Sequence, residues 1–554
     1  MIHRLEAPTP QPTPAIARLA AGSWWLCGLL LLGLGCDRPP RPQVEHVAPE
    51  RPRVPSPPPA PPSLPSGLPT SGKPLVFALE APFDLWDAYF LSGEQIGYSH
   101  IHAEPTAKDD EIRYQVTERM RLRRGDSILD QHLQQTSYET LDGRLLRFEA
   151  LLDVNGERTE TRGEVRGDEL VIETQRAGQA EPQVQERRIE WERSIGGLLA
   201  LQQSLKEKPL AAGEQRRIQA LAPMFYEVGV LDVRGAGLTA VPLLSAEPEQ
   251  LLEAESISSI EGNPLLKMHL WFDAEGNVLK SYAPSLGLSI FRTDEQTAKQ
   301  FATPEIDLMV QSRIPLEAPI ERPRELRETV FAVQTQDPQL ASRFLQDAPG
   351  QRVRQAEGEV FEVTVEQGLD RQFAGLPPSE EDRRSNPLIE STNRGVQELA
   401  AIPEATDEVA LAKELARLVY TTISEKNLES GFSSAAEVAA SRQGDCTEHA
   451  VLLAAMCRAR DIPARVAAGL MYVDSTEGPA MAFHMWTLAH VDGGWLPLDG
   501  TMQDGLAAAD RITLVSDNLA SGTEYAMVAP VMQSLGQLEI QVRSTRHAET
   551  PSEQ

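Results

Sequence analysis

The spacing of apolar and polar residues changes character near residue 390. Before it, stretches such as Arg144 to Val154 and Glu169 to Gln175 mix apolar with charged positions as half-exposed strands do. Turn signals separate them at Gly125-Asp126, Asp142-Gly143, Asn155-Gly156, Gly167-Asp168 and Glu275-Gly276. The pattern predicts an antiparallel β-meander over residues 75–320. Its first hairpin runs through Trp86-Asp87-Ala88-Tyr89-Phe90 and Gln95-Ile96-Gly97-Tyr98, and a helix near Leu198 to Glu207, ended by Pro209, interrupts it. A small β unit is expected over 325–375, followed by a polar linker over 376–390.

Beyond 390 a helical period takes over. Asp407 to Ile423 sets Leu411, Leu415, Leu418 and Val419 on one face. Ser434 with Glu437 has the spacing of a capping box, and so does Asp445 with Glu448. The second cap opens a helix whose run from Ala450 to Met456 is apolar all round, which predicts burial. Ala482 to Val491 and Trp495 to Asp499 read as strands joined by the turn Asp492-Gly493, and a last strand is expected near Ile512 to Val515. The polar tail over 544–554 is expected to be disordered.

Candidate chemistry lies within these elements. Cys446 falls in the first turn of the apolar helix, where unpaired N–H groups and the helix dipole favour a thiolate, although the carboxylates of Asp445 and Glu448 oppose this. A two-residue turn at Asp492-Gly493 puts Trp486 opposite Asp499, with His484 as the diagonal neighbour of Asp499 on the same face. Diagonal neighbours stand about 7–8 Å apart at the backbone, within reach of a His–Asp hydrogen bond. His490 shares that face but lies roughly 13 Å along the strand from the position opposite Asp499. Cys446, His484 and Asp499 thus supply a nucleophile, a base and a group to orient the base.

Four segments carry a resemblance. They are Gly444-Asp445-Cys446-Thr447-Glu448-His449-Ala450, Arg458-Ala459-Arg460-Asp461-Ile462-Pro463-Ala464-Arg465, His484-Met485-Trp486 and Trp495-Leu496-Pro497-Leu498-Asp499. In order and spacing they resemble the transglutaminase-like superfamily over roughly residues 400–515, about a fifth of the chain. The resemblance implies a papain-like Cys–His–Asp core over 391–530, with the cysteine-bearing helix packed on an antiparallel sheet, so the whole chain is expected to be α+β. It implies catalytic roles for Cys446, His484 and Asp499, no cofactor and no metal. The expected partner is a peptide or protein substrate, attacked at a peptide or glutamine amide through a Cys446 thioester, with hydrolysis and acyl transfer both open. The alternative is a non-catalytic module that grips peptides in the same cleft.

Composition sets further bounds. A chain of 554 residues is too long for a single core. Its 52 Lys and Arg against 81 Asp and Glu give a net charge of −29, which argues against nucleic-acid binding. The four cysteines are Cys27, Cys36, Cys446 and Cys457. The last two lie about 16 Å apart along one predicted helix, too far for a disulfide, and Cys457 is expected to fill space in the core.

Residues 1–36 read as a targeting segment: Arg4 and Arg18 precede the apolar run Trp24 to Leu34. The segment ends in Leu32-Gly33-Leu34-Gly35-Cys36, which resembles a bacterial lipobox, with Gly33 where Leu is usual. Lipidation at Cys36, an uncleaved anchor and a simple cleaved signal remain open, and all three place the body of the protein outside the cytoplasm, the first two tethered to a membrane. Residues 37–74, with Pro57-Pro58-Pro59-Ala60-Pro61-Pro62 at their centre, are expected to form an extended spacer.

The remaining conspicuous side chains are expected to support rather than react. His449 lies three residues beyond Cys446 on the same helix, out of register with Asp499, and reads as structural. A zinc site from His449, His484 and His490 is disfavoured, because two of them stand about 20 Å apart on one strand. Trp486 and Trp495 read as core, and Arg465 as a core-edge ion pair. The backbone N–H of Cys446 is the expected oxyanion donor, with Gln443 and Asn427 as candidates for a second.

Overall fold

The computed structural model describes residues 83–548, apart from 109, 125–126, 177–184, 245–246, 305, 308–311, 336, 357, 374, 403–406, 425–432, 476–477 and 521–524. The targeting segment with Cys27 and Cys36, the proline-rich stretch, the Gly125-Asp126 turn and Asn427 therefore lie outside the described residues. The architecture is α+β, built on three antiparallel sheets of fourteen, five and four strands among the described residues.

In the largest sheet, eight strands from Phe83–Leu91 to Gln185–Glu190 each pair with the next, and six from Gln215–Ala222 to Leu288–Thr293 do the same. Phe83–Leu91 also pairs with Leu288–Thr293, which joins the two meanders edge to edge. The turns explain the regularity. At Asn155 and Gly156 both φ angles are positive, as a two-residue hairpin loop requires. The helix Ala200–Glu207 connects the two runs and is buried from Ala200 to Leu205. Gln203 lies against Gly143 of one hairpin turn and Leu205 against Gly276 of another, so the sheet curls around this helix. Arg216 caps its end by donating to the carbonyls of Ser204 (2.6 Å) and Lys208 (2.8 Å).

The five-stranded sheet runs Ile314–Pro315, Gly478–Val491, Ala464–Ser475, Arg511–Asp517, with Gly494–Leu498 also paired to Gly478–Val491. Its first strand corrects an expectation. Ile314 and Pro315 were assigned to the meander by pattern, but they pair with Met481 and Ala480. The helices Arg394–Ala400, Glu408–Thr422 and Ala435–Ser441 pack on the helix Cys446–Arg458, which lies on this sheet. Among the described residues no helix is long and apolar enough to cross a membrane.

Two more expectations are corrected by the four-stranded sheet, ordered Gln351–Gln355, Val360–Glu366, Leu326–Thr335, Leu538–His547. The small β unit over 325–375 is not self-contained, because its outer strand comes from the far end of the chain. The polar tail begins later than its composition suggested: Ser544, Thr545, Arg546 and His547 pair with Val330, Thr329, Glu328 and Leu326. Nor is 376–390 a bare linker. Asp382, Leu388 and Ile389 are buried, and Leu376 accepts a 2.6 Å hydrogen bond from the indole of Trp495.

Candidate active site

The site is assembled at the start of the helix Cys446–Arg458. Asp445 caps it by accepting from the Thr447 N–H at 2.8 Å, while Glu448 reaches back to the Asp445 N–H at 2.9 Å. This is the reciprocal box read from the sequence. Gly444 makes it possible: its φ is +149°, and a Cβ there would stand 2.3 Å from that of Glu448. Glu448 also accepts from the Ser433 N–H at 3.1 Å and is fully buried. Burial, reinforced by the Asp445 carboxylate, pushes its carboxyl well above the usual range.

Strand register positions the other two side chains. Thr487 pairs with Leu498 and Val491 with Gly494, the pairing a two-residue turn at Asp492-Gly493 requires. Asp499 follows directly, and His484 Nε2 lies 2.8 Å from its Oδ2, with both residues buried. The imidazole also stacks near the ring of Trp486, 6.2 Å between centroids.

Three contacts bring the helix start to this pair. The Thr447 hydroxyl meets the Met485 sulfur at 3.5 Å, which joins the residues next to Cys446 and His484. The Thr487 hydroxyl donates to the Ala450 carbonyl at 3.0 Å. Gly500, next to Asp499, packs on the helix so closely that a Cβ would be 3.4 Å from the His449 carbonyl oxygen and 2.9 Å from Val419. The outer edge of the His484 strand pairs with Ile314–Pro315 at Met481 and Ala480, and with Gly494–Leu498 from Thr487 onward. The helix start faces the stretch between. Cys446 itself is 1% exposed.

Asp499 is held on every side. Its Oδ1 accepts from the Thr501 N–H (2.9 Å) and hydroxyl (2.6 Å), and its Oδ2 from Arg511 Nη1 (2.8 Å) as well as from His484. Burial alone would raise its carboxyl. The positive charge of His484 and Arg511 and the hydrogen bonds outweigh this and hold it well below the ordinary carboxylate range. Arg511 is buried too, with Nε 3.1 Å from Asp510 Oδ1 and its guanidinium 5.3 Å from the Trp486 ring centroid. Arg324 binds the other Asp510 oxygen at 2.9 Å.

Thr501, Asp510 and Arg511 were missed from the sequence. The signal available was a charged pair, Asp510-Arg511, abutting the apolar run Ile512 to Val515, where a surface pair has no reason to be.

The other singled-out residues lie apart from this cluster or support it. His449 is buried, with Nδ1 2.5 Å from the Asp445 carbonyl oxygen, which ties it to the cap. His490 is opposite Trp495, its ring edge-on to the indole at 5.1 Å; burial and then the Arg383 cation lower its pKa. Trp486 and Trp495 are core residues. Arg465 makes the expected ion pair, a fork onto Asp382 at 2.6 and 2.9 Å. Gln443 lies between the helices Ala435–Ser441 and Cys446–Arg458. Cys457 is fully buried, and burial pushes its thiol up to about 12.

Residues 398–500 match the transglutaminase-like superfamily. Comparison with curated proteins gives no match. Among solved structures, the chain is similar to a β-barrel-like protein from a domain family of unknown function in Brucella abortus, at 13% identity and a TM-score of 0.29, covering 38% of this chain and 94% of that one. It is also similar to a candidate cysteine protease from Cytophaga hutchinsonii, at 12% identity and a TM-score of 0.25, covering 41% of this chain and 89% of that one.

Proposed function

We propose that this chain, whose C-terminal region is transglutaminase-like, is a thiol enzyme that acts outside the cytoplasm on peptide or glutamine amides. The observation that carries the reading is the buried hydrogen bond from His484 Nε2 to Asp499, next to the start of the Cys446 helix. With Nε2 committed to Asp499, proton transfer falls to Nδ1. Met485 and Thr487 both touch the helix, so alternation turns His484 toward the other face of the strand. Catalysis therefore requires the thiol to reach the imidazole around the strand edge between the pairings at Met481 and Thr487.

The chemistry follows from these roles. His484 Nδ1 takes the proton of the Cys446 thiol as sulfur attacks the amide carbon, and the carbonyl electrons move onto oxygen. The tetrahedral adduct collapses, the C–N bond breaks, and the imidazolium gives its proton to the departing amine, leaving a thioester. Water or a second amine attacks the thioester while Nδ1 removes its proton, which releases acid or a new amide and restores the thiol. The backbone N–H of Cys446 is assigned to the oxyanion. The targeting segment supports action beyond the cytoplasm, with Cys36 as the site of a lipid tether.

Cys446 is almost fully buried and disulfide-bonded, which favours a second reading, a binding module whose sulfur is not a nucleophile. Incubation of the reduced full chain with a mixed peptide library separates the two. The enzyme reading expects an acyl adduct on Cys446 by mass spectrometry, absent in Cys446→Ala. No adduct with any peptide, together with tight and reversible peptide retention, would establish the module instead.

A further inference from the structure

Arg511 and His484 share one acceptor atom. Each donates to Asp499 Oδ2 at 2.8 Å, so the two nitrogens are no farther apart than twice that distance, inside a site closed to water. Beyond Arg511 the charges continue to alternate: Asp510 pairs with Arg511, and Arg324 with Asp510. Arg511 thus presents a buried cation to the same carboxylate oxygen that must compensate an imidazolium.

Resting on the catalytic reading above, we propose that Arg511 is a positioning residue. It fixes the Asp499 carboxylate and limits how strongly that carboxylate stabilises protonated His484. The first effect follows from geometry. With Thr501 holding Oδ1 and Arg511 holding Oδ2, the carboxylate cannot rotate away from Nε2. The second follows from charge. A cation within hydrogen-bond range of the shared oxygen takes up part of its negative potential and repels a second cation at low dielectric. The combination suits a base that must both accept and return a proton. An aspartate facing the imidazole alone would stabilise the imidazolium more strongly and slow the return of its proton to the leaving amine.

The groups that face Arg511 predict opposite signs for two variants. Removing the cation leaves Asp499 to stabilise the imidazolium unopposed. Removing Asp510, which balances the far side of the guanidinium, leaves Arg511 to act on His484 with its full charge. Iodoacetate is a suitable probe, because its carboxylate is drawn to an imidazolium beside the reacting sulfur. The falling limb of its pH–rate profile therefore follows loss of the imidazolium proton.

The experiment measures carboxymethylation of Cys446 in the reduced full chain across pH, for the wild type, Arg511→Met, Arg511→Lys and Asp510→Asn. The falling limb is expected to move up by about one pH unit in Arg511→Met and down in Asp510→Asn. It should stay near the wild-type position in Arg511→Lys, whose maximal rate falls because an ammonium cannot span Asp499 and Asp510 as the guanidinium does. If Arg511→Met does not fold, the downward shift in Asp510→Asn still decides the matter. Limbs that coincide in every folded variant, with only the rates changed, would overturn the positioning role while leaving the catalytic reading intact. A wild-type Cys446 that does not react would sink both.

Discussion

Gly469 lies directly across the strand pair from His484, and the Trp486 ring fills the space that a side chain at 469 would need. A Cβ there would stand 2.0 Å from the Ile512 carbonyl oxygen and 3.0 Å from the indole. The clash with backbone cannot be relieved by a rotamer change, so Gly469→Ala forces Ala464–Ser475, which lies between the strands of His484 and Arg511, away from Arg511–Asp517. The substitution is expected to cost about 1–3 kcal/mol in urea denaturation and to lower reactivity at Cys446. A variant as stable and reactive as the wild type would contradict this packing.

Asp499→Asn is expected to keep the fold and lower Cys446 acylation by about 10²–10⁴-fold, because an amide can stabilise the wrong imidazole tautomer and cannot balance an imidazolium. His484→Ala should lose as much. The double variant should lose little more than either single one, as two groups acting as a unit do. His490→Ala should change the rate by less than about twofold. Acylation rates of the four variants check this, and additive losses would break the assignment.

The two described cysteines should differ sharply toward a neutral thiol reagent. Burial pushes the Cys457 thiol up to about 12, so it stays protonated and enclosed at pH 8. Under reducing conditions Cys446 is expected to be labelled in the native protein, and Cys457 only after denaturant is added. Peptide mapping of the two adducts provides the check. Native labelling of Cys457 at a comparable rate would show a looser core than the one described.

Arg465 and Asp382 tie residues 376–390 to the core strand Ala464–Ser475, with Asp382 fully buried. Burial would raise the Asp382 carboxyl, but Arg465 and Ser379 together hold it below the usual carboxylate range. A carboxyl depressed on folding contributes stability above its unfolded pKa of about 3.9 and loses it as pH falls through the lower, folded value. Acid unfolding of Asp382→Asn should therefore be less steep than that of the wild type below about pH 4. At neutral pH, Arg465→Met strands the carboxylate and is expected to cost about 3–5 kcal/mol. Thermal and acid denaturation of both variants measure these effects, and equal acid slopes would contradict the buried pair.

What could be read in advance was what local chemistry determines. The capping box at Asp445 and Glu448 depends on spacing alone, and the pairing around Asp492-Gly493 on turn length, so the His484–Asp499 contact followed by arithmetic. Arg511 did not, because its strand adjoins Ala464–Ser475 rather than the strand before Asp499, and no local pattern gives sheet order. Asp382 was hidden for a similar reason: its partner, Arg465, is remote in sequence. The strand ending at His547 was half legible. Leu538, Ile540 and Val542 alternate as a strand should, but beyond them an edge strand can carry polar residues on both faces.

That strand has a consequence for how the molecule is made. Leu326–Thr335 pairs on one side with the nearby Val360–Glu366, and on the other with residues synthesised roughly two hundred positions later. At typical elongation rates the second partner emerges about 10–40 s after the first. Throughout that interval a row of backbone donors and acceptors stands unmatched, open to the wrong neighbour. The strand Leu538–His547 therefore closes a gap in a sheet begun long before it.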